Sequence, residues 1–524
     1  MKSPRWARVT VVAAWMVSAC GPEPVPTPAP TPKPPPTESQ GDWEDPGRYA
    51  ACQVYSVKGV ACGEPEVFDL ASCDTGSLAG LARDAAYTVV YRTERAPPTI
   101  SPDAFRLSPS GHSYRGVTPA QARLDDRDFF LSSTSTNDAG VSTRYSLRGC
   151  RAEGDRLYGC YAGCRNGQFI NYGTFLAQRV SRRPGEAEAS GLTLVSESPV
   201  SHGLAADVYV TQGHAYVVSL PLGGTPGGLS VFDVRDPAAP VLKTEISLPK
   251  DNYWNGVWAQ GNALYVASAN TGVITFDISN PAAPRLLRSL PSGVGAIDVH
   301  TVFVEGERLY AMSVGPLPKA LIFDIRQPTE PAPLGEYVEP GAGVDWTVGF
   351  PHDALAFEGR LYINHWRAGY LVVDVSDPRE PKKLGAFTYP YATSHANAVG
   401  RFGDRLIAFE GGESWGAHLR VLDVTDPTNP RRIGEYKLSE HVSIHNMVLV
   451  GQRLYIAHYQ HGVRVLDVSV PESPREVAYF NTVKGTEPHR GEGFYDGAIG
   501  IRVPGDGHVY VIDTSRGMLI FPEP

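Results

Sequence analysis

Four histidines in the second half of the chain hold matching places in a repeated pattern. His300, His352 and His445 each stand ten residues before a tyrosine (Tyr310, Tyr362 and Tyr455), and His395 stands twelve before Ile407, where the intervening turn is two residues longer. Three residues past the tyrosine position come His365, Glu410 and His458, where the earlier repeats have Ser219, Ser268 and Ser313. Neutral imidazoles with a carboxylate are the usual ligands of zinc, copper or non-haem iron, so His352, His365, His395, Glu410, His445 and His458 form a candidate metal set. Hairpin pairing sets His352 opposite His365 and His445 opposite His458, with His441 and His461 extending the latter pair. A second use of the same residues is structural: a histidine that starts an inner strand can donate to the neighbouring repeat. His300, which no acid or histidine follows, fits that second use.

Other chemistry is sparse. Gly412-Glu413-Ser414-Trp415-Gly416 spells GxSxG, but the nucleophile elbow needs a strand before it and a helix after it, and a strand-like run from His418 to Val424 follows here. No residue is assigned a catalytic role. Loops on the same side carry Trp254, Trp346, Trp366, Arg367, Trp415 and Tyr459, with Tyr253 and Tyr391 nearby, and these make the expected binding face for a protein, glycan or small ligand.

The elements that must position these residues are written in repeats. VFDVRDPAAP, TFDISNPAAP, IFDIRQPTEP, VVDVSDPREP, VLDVTDPTNP and VLDVSVPESP place Asp233, Asp277, Asp324, Asp374, Asp423 and Asp467 at intervals of 44 to 50 residues, the period of a four-stranded propeller blade. In the fourth copy Asp353 to Phe357 reads as strand A, Glu358-Gly359 as a tight turn, Leu361 to Asn364 as strand B, Tyr370 to Val375 as strand C and Lys383 to Thr388 as strand D. The aspartate ends strand C, where its carboxylate can accept amide hydrogens of the next turn. Strand B phrases begin at Ala215, Leu264, Leu309, Leu361, Leu406, Leu454 and Val509, which makes seven blades. The seventh stops after three strands, and the unpartnered LTLVSESPV from Leu192 to Val200 is expected to supply its fourth and close the ring.

The VxDVSDPxxP phrases, with the LY(V/I) phrases before them, resemble those of LVIVD-repeat proteins, a bacterial family expected to form β-propellers and often exported. The resemblance covers roughly residues 192 to 524 and implies a fold, with no catalytic residues attached to it. The fold expected is all-β: a seven-bladed propeller of four-stranded blades behind a small disulfide-rich, β-rich domain.

The first half supplies an address. Residues 1–20 read as a signal peptide, with Lys2, Arg5 and Arg8 before a short apolar core and a lipobox, Val17-Ser18-Ala19-Cys20, ending at the cysteine to be lipidated. Residues 21–48 are proline-rich and read as an extended, disordered tether. The expected location is the cell envelope, on the outer membrane or cell surface, by Sec-type export and an N-terminal lipid. Cys52, Cys62, Cys73, Cys150, Cys160 and Cys164 all fall in residues 49–180, an even set that reads as a disulfide framework whose pairing stays open. Residues 77–86 suggest one short helix there, and polar residues 181–191 read as a linker to the propeller at 192–524. A net charge of −9 with no basic cluster excludes a nucleic-acid partner. The function expected is a non-enzymatic, lipid-anchored binding module; the alternative is a metal-dependent enzyme with its histidines at the channel mouth.

Overall fold

A computed structural model describes residues 38, 41–137, 140–183, 185–290, 297–345, 347–483 and 493–524. The expected signal peptide, Cys20 and most of the expected proline-rich tether lie outside the described residues, as does Trp346. Among the described residues no helix is long and apolar enough to cross a membrane.

Seven antiparallel sheets form the blades. Blade four runs Pro351–Phe357, Arg360–His365, Gly369–Asp374 and Lys382–Phe387, as the alternation and turn residues dictate. The repeated aspartates act as strand terminators: Asp233, Asp277, Asp324, Asp374, Asp423 and Asp467 each accept a hydrogen bond from the backbone amide two residues on, at 2.9 to 3.3 Å. Successive blades share apolar clusters, such as Leu361, Ile363 and Val373 of blade four against Tyr310 and Met312 of blade three. Ser196–Ser198 pairs antiparallel with Gly517–Pro522 and completes blade seven, so strands from the two ends of the repeat region meet in one sheet.

The small domain is an eight-stranded antiparallel sheet, with Ser113–Tyr114 and Gln121–Leu124 at its edges. Its disulfides are Cys52–Cys160, Cys62–Cys164 and Cys73–Cys150. They fasten the irregular segment between residues 52 and 73 onto the strands Ser142–Glu153 and Arg156–Arg165. The helix expected at 77–86 is instead a 3-10 turn, Thr75–Gly80, and strand begins at Ala85 because Tyr87, Val89 and Tyr91 alternate into the core.

Two connecting segments are bound more tightly than their polar sequences suggest. The expected linker 181–191 adds a fifth strand, Ala189–Ser190, to blade six, and its Glu186 bonds the fully buried Arg464 at 2.8 Å. The end of the expected tether is docked as well: Glu38 and Asp42 both bond Arg420, which has no exposed surface and holds in blade five the register that Arg464 holds in blade six. Gly416 is required beneath this strap, since it adopts φ +72° and a Cβ there would stand 2.7 Å from the Asp42 carbonyl. Trp43 of the strap packs with Val90 of the small domain and with Trp415 and Phe494 of the propeller.

Candidate metal centre at the channel mouth

Strand A of each blade lines the central channel, and its first turn of backbone is irregular in a repeated way. A bulge interrupts the ladder at Ala206, Asn255, His300, His352, His395 and Ile499, and in blade six His445 and Asn446 both bond Ala457. A bulge leaves one residue without a cross-strand partner and re-aims its side chain, here toward the axis. Consecutive histidine rings therefore pack edge-on or tilted around the mouth, with centroids 4.2 Å apart from His300 to His352, 4.1 Å from His352 to His395 and 4.3 Å from His395 to His445.

Glu413 reaches this arc from the loop after strand B of blade five. Its carboxylate lies 3.5 Å from His395 Nε2, 3.6 Å from His445 Nε2 and 4.0 Å from His352 Nε2. Ligands bonded at about 2.1 Å around a tetrahedral ion stand about 3.4 Å apart; His352, His395 and Glu413 each offer one ligand atom within 4.8 Å of the others and form the candidate set, while His445 reaches Glu413 but not all three. The imidazole tautomer also suits a metal. His445 Nδ1 lies 2.6 Å from the carbonyl of Ile499 and must carry the proton, which leaves the lone pair on Nε2 facing Glu413. His352 and His395 likewise face the backbone of the next blade, at His395 and His445. His300 stands apart, because Asn255 donates to its Nε2 at 3.1 Å.

Burial sets the charge state. It pushes His445 down to about 3 and His300 to about 4, and holds His352 and His395 well below the ordinary value, with neighbouring imidazoles adding to the effect. Burial pushes Glu413 up to about 8, opposed by the hydrogen bond donated by the Tyr459 hydroxyl. Without an ion the site is thus three neutral imidazoles around a protonated acid, and a bound cation would displace that proton. Trp366 stacks at 5.2 Å on His352 and fixes the ring plane. The equivalent positions of blades one and seven carry Ala206 and Ile499, which are buried and cannot ligate, so the histidine arc ends at blade six, where His445 bonds the Ile499 carbonyl.

The structure divides the set expected from sequence. His352, His395 and His445 converge; His365, Glu410 and His458 do not join them. The bulge is the cause, for it pairs His365 with Pro351 and turns His352 out of register. His365 is buried under the influence of Glu339 and Lys383. Glu410 accepts from Tyr389 at 3.0 Å and lies 3.7 Å from Arg420. His458 sits in a tight turn, its ring 5.4 Å from that of His461. Sequence reasoning set Glu413 on the binding face with Arg367 and Asp345 and not among the ligands, its one signal being an acid in the glycine-rich loop after strand B of blade five. The expected binding face is also largely internal. Trp254 is fully buried and donates to Asp251, Tyr459 is spent on Glu413, and Trp415 lies beneath Trp43; Trp366 is half-buried and Arg367 exposed.

Comparison with known proteins bears on the repeats alone. The LVIVD repeat family matches residues 202–247, 253–290, 356–388 and 445–482, which fall in blades one, two, four and six. No curated protein matches the chain. The chain is therefore a seven-bladed β-propeller that carries LVIVD repeats.

Proposed function

We propose that this propeller binds one divalent transition-metal ion (zinc, copper or iron) at its channel mouth, through His352, His395 and Glu413 with His445 beside the carboxylate, and that the fourth position of the ion is left for a small molecule. The observation that carries the reading is the convergence of three imidazole Nε2 atoms on one buried carboxylate, within 4.0 Å, on bulge residues from three consecutive blades. A structural role for the arc accounts for His300 and for the bonds of His352, His395 and His445 to the backbone of the following blade. It does not account for the burial of the Glu413 carboxylate among three imidazoles. The lipobox at Cys20 and the proline-rich stretch behind it support an envelope location on a lipid anchor, with the membrane as the partner at that end.

Metal analysis of protein purified without a histidine tag tests the centre. About one ion per chain is expected, and His395→Ala and Glu413→Gln should each lower occupancy at least tenfold while far-UV circular dichroism stays that of a folded β protein. Wild-type protein that neither carries nor takes up zinc, copper or iron overturns the reading.

A further inference from the structure

Behind the histidine arc the central channel holds a cavity of about 180 Å³. Its wall is graded by distance from the strand A bulges. His352, His395 and His445 close one end; one residue past the bulge stand Asp207 and Asp353, and two residues further stand Trp258, Phe303 and Arg502. Trp258 and Phe303 meet edge to face with ring centroids 4.7 Å apart, which gives the cavity an aromatic wall from blades two and three.

The two acids of this wall share a single cation, and it is already placed. Arg502 donates through Nε to the Val208 carbonyl at 3.0 Å, lies 3.5 Å from the Asp207 carboxylate and rests 4.4 Å from the centre of the Trp258 ring. Asp207 also accepts the amide of Val257 at 3.2 Å. Asp353 accepts the amide of Ala354 at 2.8 Å and forms no ion pair with any described residue. Burial, with the Asp207 carboxylate adding to it, raises Asp353 to about 7. A desolvated carboxylate without its cation is stabilised by a cation that enters the cavity, and an ammonium gains further from aromatic faces beside it.

Size limits the occupant. A cavity of about 150 Å³ holds one benzene ring, so this one takes a single molecule of about eight non-hydrogen atoms. We propose that the channel cavity binds a small aromatic amine, with its ammonium on the Asp353 carboxylate and its ring against Trp258 and Phe303. The reading of the histidines as a metal centre enters only through what would then happen to the ligand, because the cavity ends on His352 and His395; binding itself needs Asp353 and the aromatic wall alone.

Benzylamine is the probe, titrated calorimetrically into the full-length protein as purified and after chelation, with benzyl alcohol as the neutral comparison. Saturable one-to-one binding is expected at pH 8, at least tenfold tighter than for benzyl alcohol. Asp353→Asn should weaken it at least tenfold, and the variant should melt no lower than wild type, since the amide still accepts from Ala354 and a buried charge is gone. The ammonium needs an ionised carboxylate, so wild-type affinity should fall about tenfold from pH 8 to pH 6, and Asp353→Asn should lose that dependence. Of the charged groups facing Asp353, Arg502 stays protonated and the arc histidines stay neutral across this interval, while Asp207 is paired with Arg502. No benzylamine binding, equal binding by Asp353→Asn, or benzyl alcohol binding as tightly each overturns the proposal. So does binding that is lost on chelation and kept in Asp353→Asn, which would put the amine on a metal. Asp353-dependent binding by protein that holds no metal would uphold the cavity site and sink the metal reading alone; a full complement of metal with no benzylamine binding would do the reverse.

Discussion

Acidification from pH 7.5 to 5.5 should unfold the metal-free protein, and the size of the effect follows from eight histidines. His300, His352, His365, His395, His441, His445, His458 and His461 are all held below the ordinary imidazole pKa, chiefly by burial. Because their folded values lie below the unfolded one, the unfolded chain takes up protons first. Their contribution is therefore fully present above pH 6.5 and lost as the pH falls toward 4. At pH 5.5 an unfolded histidine gains about 1.4 kcal/mol from protonation that a buried neutral ring forgoes, or about 11 kcal/mol for the set. Glu413 and Asp353 work in the opposite sense, since burial raises them to about 8 and about 7, and over the same interval they return about 4 kcal/mol. Burial raises Asp103, Asp207, Asp298, Glu305 and Glu410 as well, which offsets more, so about 7 kcal/mol is the upper bound of the loss, comparable with the whole stability of an ordinary domain. Urea unfolding of chelator-treated protein with intact disulfides, followed by tryptophan fluorescence, should show a midpoint at pH 5.5 less than half of that at pH 7.5. A midpoint at pH 5.5 equal to or above that at pH 7.5 would refute the argument, because it would mean that the histidines protonate without leaving their buried positions.

Arg420→Met should cost about 3–5 kcal/mol, because it leaves Asp42, Glu38 and Glu410 buried without their cation, and it should expose residues 38–48 to limited proteolysis; an unchanged cleavage pattern would show that the strap is held by Trp43 alone. Cys20→Ser should move the protein from the membrane fraction to the soluble one, and unchanged membrane association would exclude the lipid as its anchor.

The propeller was legible because its grammar is local. An aspartate that must stop a strand and a proline that must follow it repeat six times, and the strand-like Leu192 to Val200 had only one open edge to fill. The site was legible in part for the same reason: counting back from Tyr310, Tyr362 and Tyr455 finds a position near the start of strand A in each of those copies. Counting could not find the bulge, which has no residue signature here and which separates His352 from His365 by one step, enough to send the two rings to different sides of the blade. Glu413 escaped because it belongs to a loop, where spacing carries no periodicity. The disulfide pairing and the covering of Trp415 are set by how the small domain folds and docks, and no interval in the sequence encodes either.

The bulges at the start of strand A have an implication for how such a protein can change. The residue at each bulge has no partner in its own sheet, so its identity is nearly independent of whether the blade forms. Seven such positions stand around one axis, three holding Ala206, Asn255 and Ile499 and four holding histidine. They behave as interchangeable sockets on a fixed wheel. The proposed metal centre on blades four to six could be moved, enlarged or dismantled by point substitution at these sockets, leaving every ladder intact, so whatever chemistry the mouth performs and the scaffold beneath it are free to evolve on separate schedules.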